Sequence, residues 1–168
     1  MRWRVWQKKQ GVEFKTGTIV TGFVTSGRKI SSIITTNGEY TPNQVVLAAG
    51  AWSPVIARHL KLRLPIQPAK GYSLTYKRPP SRPQLPLSLS ERKIADTPMG
   101  DFIRFTSTLE LAGYDPSINQ RRLAAIRQSV NEYLPGMEEL DGEVKWLGYR
   151  LATPDDLPII ERNGKLII

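Results

Sequence analysis

The sequence predicts an α+β fold in which a mainly antiparallel β-sheet is covered by a helix, and three observations carry that prediction. Residues 18–25 and 29–36 are rich in Val, Ile and Thr and flank Ser26-Gly27, and Asn37-Gly38 follows as a second hairpin signal. Residues 87–113 read as three or four further strands, with turns at Ser90-Glu91, at residues 98–100 and at Ala112-Gly113. Between residues 117 and 134, Leu123, Ile126, Val130 and Tyr133 recur at three- or four-residue spacing, with Arg121, Arg122, Arg127 and Glu132 off that face. That is the pattern of an amphipathic helix. The sheet is expected from residues 61–147.

The other elements follow in chain order. Residues 1–10 alternate Arg with Trp, turn polar and carry no cap, so they read as a ragged start, at most a strand. Residues 12–14 and 39–41 are short strands, and Pro42-Asn43 breaks the run. Residues 44–49 enter a strand, and the continuous apolar run that starts at Val45 suits one covered on both faces. Ser53-Pro54 reads as N-cap and first helical residue of a short helix to Leu60, with Val55, Ile56 and Leu60 on its apolar side. His59 near its end is a cation favourable to the helix dipole. Pro65 and Pro68 precede a β-rich run at 71–76. Four prolines between 78 and 86 make an extended surface connection. Ser117 or Asn119 caps the long helix, and Pro135-Gly136 ends it. Residues 143–151 form a strand, 153–156 a turn and 158–160 a short strand. Asn163-Gly164 is a hairpin turn leading into residues 165–168. The sequence stops within that apparent strand, an unusual end for a complete domain.

Composition narrows the function. The 168 residues include 40% hydrophobic and 23% charged side chains, enough for a packed core and against wholesale disorder. No apolar run is long enough for a membrane-spanning helix, and no secretory signal opens the chain. Cysteine is absent, which removes disulfides, thiol catalysis and Cys-ligated metal, and a single histidine argues against any metal site. The formal net charge of +9 attracts anions. Its basic residues are scattered, however, and no nucleic-acid module signature is present. Residues 22–29 imitate a phosphate loop but lack the Lys-Ser/Thr pair and sit in a hairpin. No carboxylate pair or nucleophile elbow is visible, so no catalytic side chain is assigned.

Two stretches carry specialised residues. In residues 45–54, an apolar run narrows to Ala48-Ala49-Gly50 before Trp52 and the helix start. Missing side chains there allow a ligand or another backbone to approach, and a helix N-terminus favours phosphate. Tight packing of a buried strand onto a helix is the other reading. In residues 146–160, Arg150 ends an apolar strand and can offer a planar fork to a carboxylate. An ion pair with Asp155 or Asp156 accounts for it equally well.

Three stretches in order resemble the FAD-dependent D-amino acid oxidase/dehydrogenase superfamily: Gly11 to Val20 running on to Val45–Ser53; Lys70-Gly71-Tyr72-Ser73-Leu74-Thr75 with residues 104–113; and Trp146 to Ile160. The likeness is strongest to the bacterial D-amino acid dehydrogenases and covers most of residues 11–160. It implies FAD as cofactor and an amino acid as substrate. It implies cofactor contacts at Val20 (backbone, at the adenine), at Ala48, Ala49, Gly50 and Trp52 near the phosphates, and at Gly148 beside the flavin. It implies that Arg150 clamps the substrate carboxylate and that Tyr72 lies on a substrate-domain strand as a candidate contact. Tyr149 and Leu151 replace the more usual Leu and Pro beside that arginine. The chemistry implied is hydride transfer from Cα to flavin N5, giving an imino acid that hydrolyses to a keto acid and ammonia.

The family's opening Gly-x-Gly-x-x-Gly turn and its closing Gly-rich flavin segment are not found in this sequence. The expectation is therefore a fragment: residues 11–60 and 148–168 as partial FAD-binding-domain elements, residues 61–147 as substrate domain, and residues 1–10 as a separate N-terminal segment. Such a chain is expected to hold FAD poorly by itself and to pack against missing cofactor-domain segments or a second copy. The resemblance further implies a cytoplasmic location, with peripheral inner-membrane contact of the intact enzyme, because such dehydrogenases feed a respiratory chain. A non-catalytic assembly module and a basic β-rich nucleic-acid binder are the competing readings.

Overall fold

The computed structural model describes every residue except Met1, Arg28, Ser81, Arg82, Pro135, Glu138, Glu139, Gly164, Lys165 and Ile168. The expected turn residues Pro135 and Gly164, and part of the last expected strand, lie outside the described residues. The elements in chain order are α1 (Arg2–Lys9), β1 (Val20–Ser26), β2 (Lys29–Thr35), β3 (Gly38–Tyr40), β4 (Val45–Val46), α2 (Ser53–Ala57), β5 (Gln67–Lys77), β6 (Leu87–Leu89), β7 (Ile94–Met99), β8 (Phe102–Thr106), α3 (Gln120–Tyr133), β9 (Val144–Ala152), β10 (Arg162–Asn163) and β11 (Leu166–Ile167). One 3-10 turn, Gly50–Trp52, leads into α2 and another, Arg58–Leu60, extends it. No helix among the described residues is long and apolar enough to cross a membrane.

The chain divides into two compact units, one of residues 1–49, 53–64 and 158–168, the other of residues 50–52 and 65–157. In the first unit, β1, β2 and β3 form an antiparallel meander. Gly27 and Gly38, at φ +59 and +118, occupy the left-handed backbone that its two turns require. β4 pairs in parallel with β11, which pairs antiparallel with β10. A small core of Ile30, Val45, Leu47 and Ala57 holds this unit, with Ile56, Leu60 and Phe23 packed around it.

Five expectations for this unit and its ends change. Residues 1–10 contain a helix, not a strand: Arg, Gln and Lys are good helix formers, and Lys8 and Lys9 sit in the last turn where the dipole favours cations. Residues 12–14 form no strand, because the Val12 N–H is spent on the helix end, donating to Gln7 O at 3.1 Å. The run at 44–49 is a strand only at Val45–Val46, and it is covered on one face: Val45 and Leu47 are buried while Val46 is 64% exposed. Ser53 is the first helical residue and not the cap, because the Gly50–Trp52 turn already coils the backbone ahead of it. Residues 158–160 are irregular, with Ile160 exposed.

The second unit is the sheet-and-helix arrangement predicted. Among the described residues, its strands form an antiparallel sheet in the order β6-β7-β8-β5-β9. Alternation along β5 sends Tyr72, Leu74 and Tyr76 to one face, where they meet Ile94, Ile103 and Phe105. α3 covers that face with Leu123, Ile126 and Val130, all essentially inaccessible. Its N-cap is Asn119, whose side chain accepts from the Arg121 N–H at 3.1 Å.

Candidate functional site

The same alternation that buries one face of the second unit's sheet leaves the other without a helix among the described residues of that unit. Antiparallel partners share a face, so the register decides which side chains meet there. Gly71 lies opposite Gly148, Ser73 opposite both Trp146 and Thr106, Thr75 opposite Arg104, and Ala69 opposite Arg150. A cleft of about 500 Å³ opens on this face, bordered by Gly71, Tyr72, Ser73, Arg104, Thr106, Ser107, Leu109, Trp146, Gly148, Tyr149 and Arg150. The paired glycines hollow its floor. A Cβ added at Gly148 would come within 2.1 Å of the Trp146 ring, and one at Gly71 within 3.2 Å of Leu109. Trp146 thus folds back over its own strand into the space that Gly148 leaves.

Arg150 stands exposed at the end of this face, and its guanidinium makes no hydrogen bond or ion pair with any described residue. The Asp155 carboxylate is used locally instead, accepting from the Leu157 N–H at 3.2 Å. Of the two readings open for Arg150, the local ion pair is therefore absent.

Two other expected residues stand at the same strand, β9. Gly148 is two positions away on β9. Trp52 lies edge-on to Tyr149, ring centroids 5.4 Å apart, and the Tyr114 hydroxyl donates to the Ala51 carbonyl. The Gly50–Trp52 turn is thereby tied to the strand that carries Arg150. Gly50 has φ +56, and a Cβ added there would meet nothing within 4 Å. Val20, Ala48 and Ala49 belong to the first unit: Val20 opens β1 half-buried, Ala48 is exposed and Ala49 half-buried. Tyr72 sits on the core side of β5, 2% exposed, and its hydroxyl donates to the Glu110 carboxylate. Its phenol points to the core side, while the residue itself borders the same cleft as Arg150. Among the described residues no acidic or histidine cluster could hold a metal.

Three residues of the quoted stretches were given no individual role in the sequence: Arg104 and Ser73 on this face and Lys70 on the core side of β5. Arg104 was signalled by alternation in Phe-Ile-Arg-Phe-Thr, since buried Ile103 and Phe105 force Arg104 and Thr106 to the opposite side. Ser73 is buried with its hydroxyl unpartnered. Lys70 is buried among partners: its ammonium donates to Asp115 O at 3.0 Å, Asp115 Oδ2 at 3.2 Å and Ser117 O at 3.0 Å. Hydrogen bonds from the Ser117 hydroxyl and N–H, then from Lys70, hold the Asp115 carboxyl down to about 2. Lys70 and the Tyr149 hydroxyl, which donates to Asp115 O at 2.6 Å, together pin the loop before α3.

Behind the sheet a second ionic group supports the core face. Arg127 grips Glu143 through two bonds of 2.8 and 2.7 Å, and the Tyr76 hydroxyl donates to the same carboxylate. Arg127 chiefly holds Glu143 down to about 2, while burial, aided by Glu143, pushes Tyr76 up to about 12.

Residues 6–168 match the family model described as DAO, FAD dependent oxidoreductase. The chain is 37% identical over 155 residues to D-amino acid dehydrogenase of Granulibacter bethesdensis, covering 90% of this chain and 37% of that protein. It is 36% identical over 159 residues to D-amino acid dehydrogenase of Vibrio vulnificus, covering 93% of this chain and 38% of that one. Its fold is similar to that of L-proline dehydrogenase from P. horikoshii, with a TM-score of 0.84 at 22% identity, over 97% of this chain and 46% of that chain. The chain thus spans less than two-fifths of the length of the curated relatives it matches.

Proposed function

We propose, since the chain belongs to the family of FAD dependent oxidoreductases, that it carries the substrate-holding part of a flavin-linked amino acid dehydrogenase acting on D-amino acids. The observation that carries this reading is Arg150: a guanidinium without a partner among the described residues, bordering a cleft whose floor is a pair of facing glycines. Such a fork binds a carboxylate through two parallel charge-assisted bonds and fixes the orientation of the attached Cα.

The residues present fit a dinucleotide at the small-residue turn. Gly50 adopts a backbone with open space where a side chain would stand, directly after two alanines. In this reading Val20 would contact the adenine through its backbone, Ala48, Ala49, Gly50 and Trp52 would lie along the phosphates, and Gly148 would leave room on the flavin side. Bound FAD would supply the acceptor for the hydride leaving the substrate Cα. The chain's own residues do the rest. Arg150 anchors the carboxylate, Trp146 and Leu109 exclude water from the glycine floor, and Lys70 with Tyr149 keep β9 and the Asp115 loop in place. Loss of the Cα hydride and an amine proton gives the imino acid, and water then converts it to keto acid and ammonium. Tyr72, with its hydroxyl engaged by Glu110, is given a positioning role from the core side.

The test is calorimetric titration of the chain, with FAD in excess, against D-alanine, alongside reduction of an artificial electron acceptor. Arg150→Met should weaken binding by about tenfold or more, with Arg150→Lys in between. Equal affinity in all three proteins would remove the clamp. The net charge of +9 supports peripheral contact of the intact enzyme with an anionic bilayer, to be read by co-sedimentation with phosphatidylglycerol vesicles at low and high salt. Exposed Val46 and Ile160 support association of the first unit with a further protein surface, which sedimentation of the purified chain would reveal.

A further inference from the structure

Two arginines of the second unit border the cleft, and others are engaged elsewhere. Arg92, Arg122 and Arg127 each lie within 3.3 Å of a glutamate and are spent on the fold. Arg104 and Arg150 are not. Arg104 donates through Nε to Thr75 Oγ1 at 3.1 Å, and its two terminal nitrogens have no partner among the described residues. Both of these arginines border the same cleft, and no carboxylate among the described residues borders it with them.

Their positions bracket the glycine floor. Arg150 is registered with Ala69 and Arg104 with Thr75, six residues further along β5. At about 3.3 Å per residue that separates the two backbones by roughly 20 Å along the strand. Both residues border the cleft, and Ser73, whose hydroxyl has no partner among the described residues, is registered between them on β5. Neither fork has a counter-charge among the described residues that border the cleft, and a single carboxylate satisfies only one of them. A ligand with an acid group at each end satisfies both.

We propose that the cleft is built for dicarboxylic amino acids, with Arg150 on the α-carboxylate and Arg104 on the side-chain carboxylate. Arg104 is then the residue that sets side-chain preference. The inference rests on the reading of Arg150 as the carboxylate clamp.

The experiment is calorimetric titration of the full chain, with FAD in excess, against D-aspartate, D-glutamate and D-alanine. Unmodified chain, Arg104→Gln, Arg104→Lys and Arg150→Gln are compared after circular dichroism confirms the fold of each. The expected result is that at least one diacid binds about tenfold or more tightly than D-alanine. Arg104→Gln should abolish that preference while leaving D-alanine affinity within about twofold, and Arg104→Lys should restore part of it. Arg150→Gln should weaken all three ligands. If binding depends on Arg150 but shows no diacid preference, or a preference that survives Arg104→Gln, the clamp stands and the assignment of Arg104 is overturned. If none of the ligands depends on Arg150, or none binds, the clamp itself fails and the inference falls with it.

Discussion

Two carboxylates of the second unit pull its pH dependence in opposite directions. Asp96 is 1% exposed on the core side of β7, and neither of its oxygens has a hydrogen-bond partner among the described residues. Burial pushes its carboxyl up to about 6, with Arg78 opposing. Because the folded value lies above the usual 3.8, the ionised form weakens the fold at pH above about 6, and that penalty fades as pH falls toward 4. Asp96→Asn should therefore raise stability at pH 8 by about 1–2 kcal/mol and confer no gain at pH 4, as read by urea melts at the two pH values. Glu143 behaves in reverse. Its folded value of about 2 lies below the usual 4.5, so its contribution is complete above about 4.5 and is lost as pH falls from there toward 2. Glu143→Gln should cost about 2 kcal/mol at pH 7 and flatten the acid limb of the stability curve. An unchanged acid limb would show that the pair with Arg127 is not what fails in acid.

At the scale of elements, α3 owes its place to packing far more than to its ends. Ile126→Ala removes a side chain that is 1% exposed and should cost about 2–5 kcal/mol, whereas Asn119→Ala removes one cap bond and should cost about 1 kcal/mol, both measured by chemical denaturation. This helix was legible in the sequence because its apolar spacing has one period and its cap is local. The hairpins at Gly27 and Gly38 were legible for the same reason, since a turn residue announces itself. α1 and β4 were not. A strand exists only where a neighbour accepts its backbone bonds, and residues 12–14 and 47–49 find none. The site was half legible. An arginine ending a strand pointed to Arg150. Arg104, Ser73 and the seat of Trp146 depend on which residues stand opposite one another across β8, β5 and β9, which no single stretch encodes.

The molecule as a whole carries two cores of unequal depth. Among the described residues the first unit buries Ile30, Val45, Leu47 and Ala57, while the second buries a continuous cluster from Tyr72 on β5 to Met137 beyond α3. Opening free energy follows buried apolar contact. Hydrogen exchange followed by mass spectrometry should find the slowest amides in β5 and β8 and earlier exchange in β1 and β2. Equal protection across both units would show a single cooperative block. The order matters for the proposed activity: the sheet that presents Arg150 and Arg104 lies in the unit with the larger core, so the acid-binding face should persist under conditions that already loosen Val20 and Ala48.

The indole laid across Gly148 gives this face an adjustable volume. Room above the floor is taken up by a rotatable ring and not by main chain, so a one-codon change at position 146 to a smaller residue would enlarge the chamber without disturbing the strand beneath. Directed evolution toward bulkier substrates has an obvious place to begin.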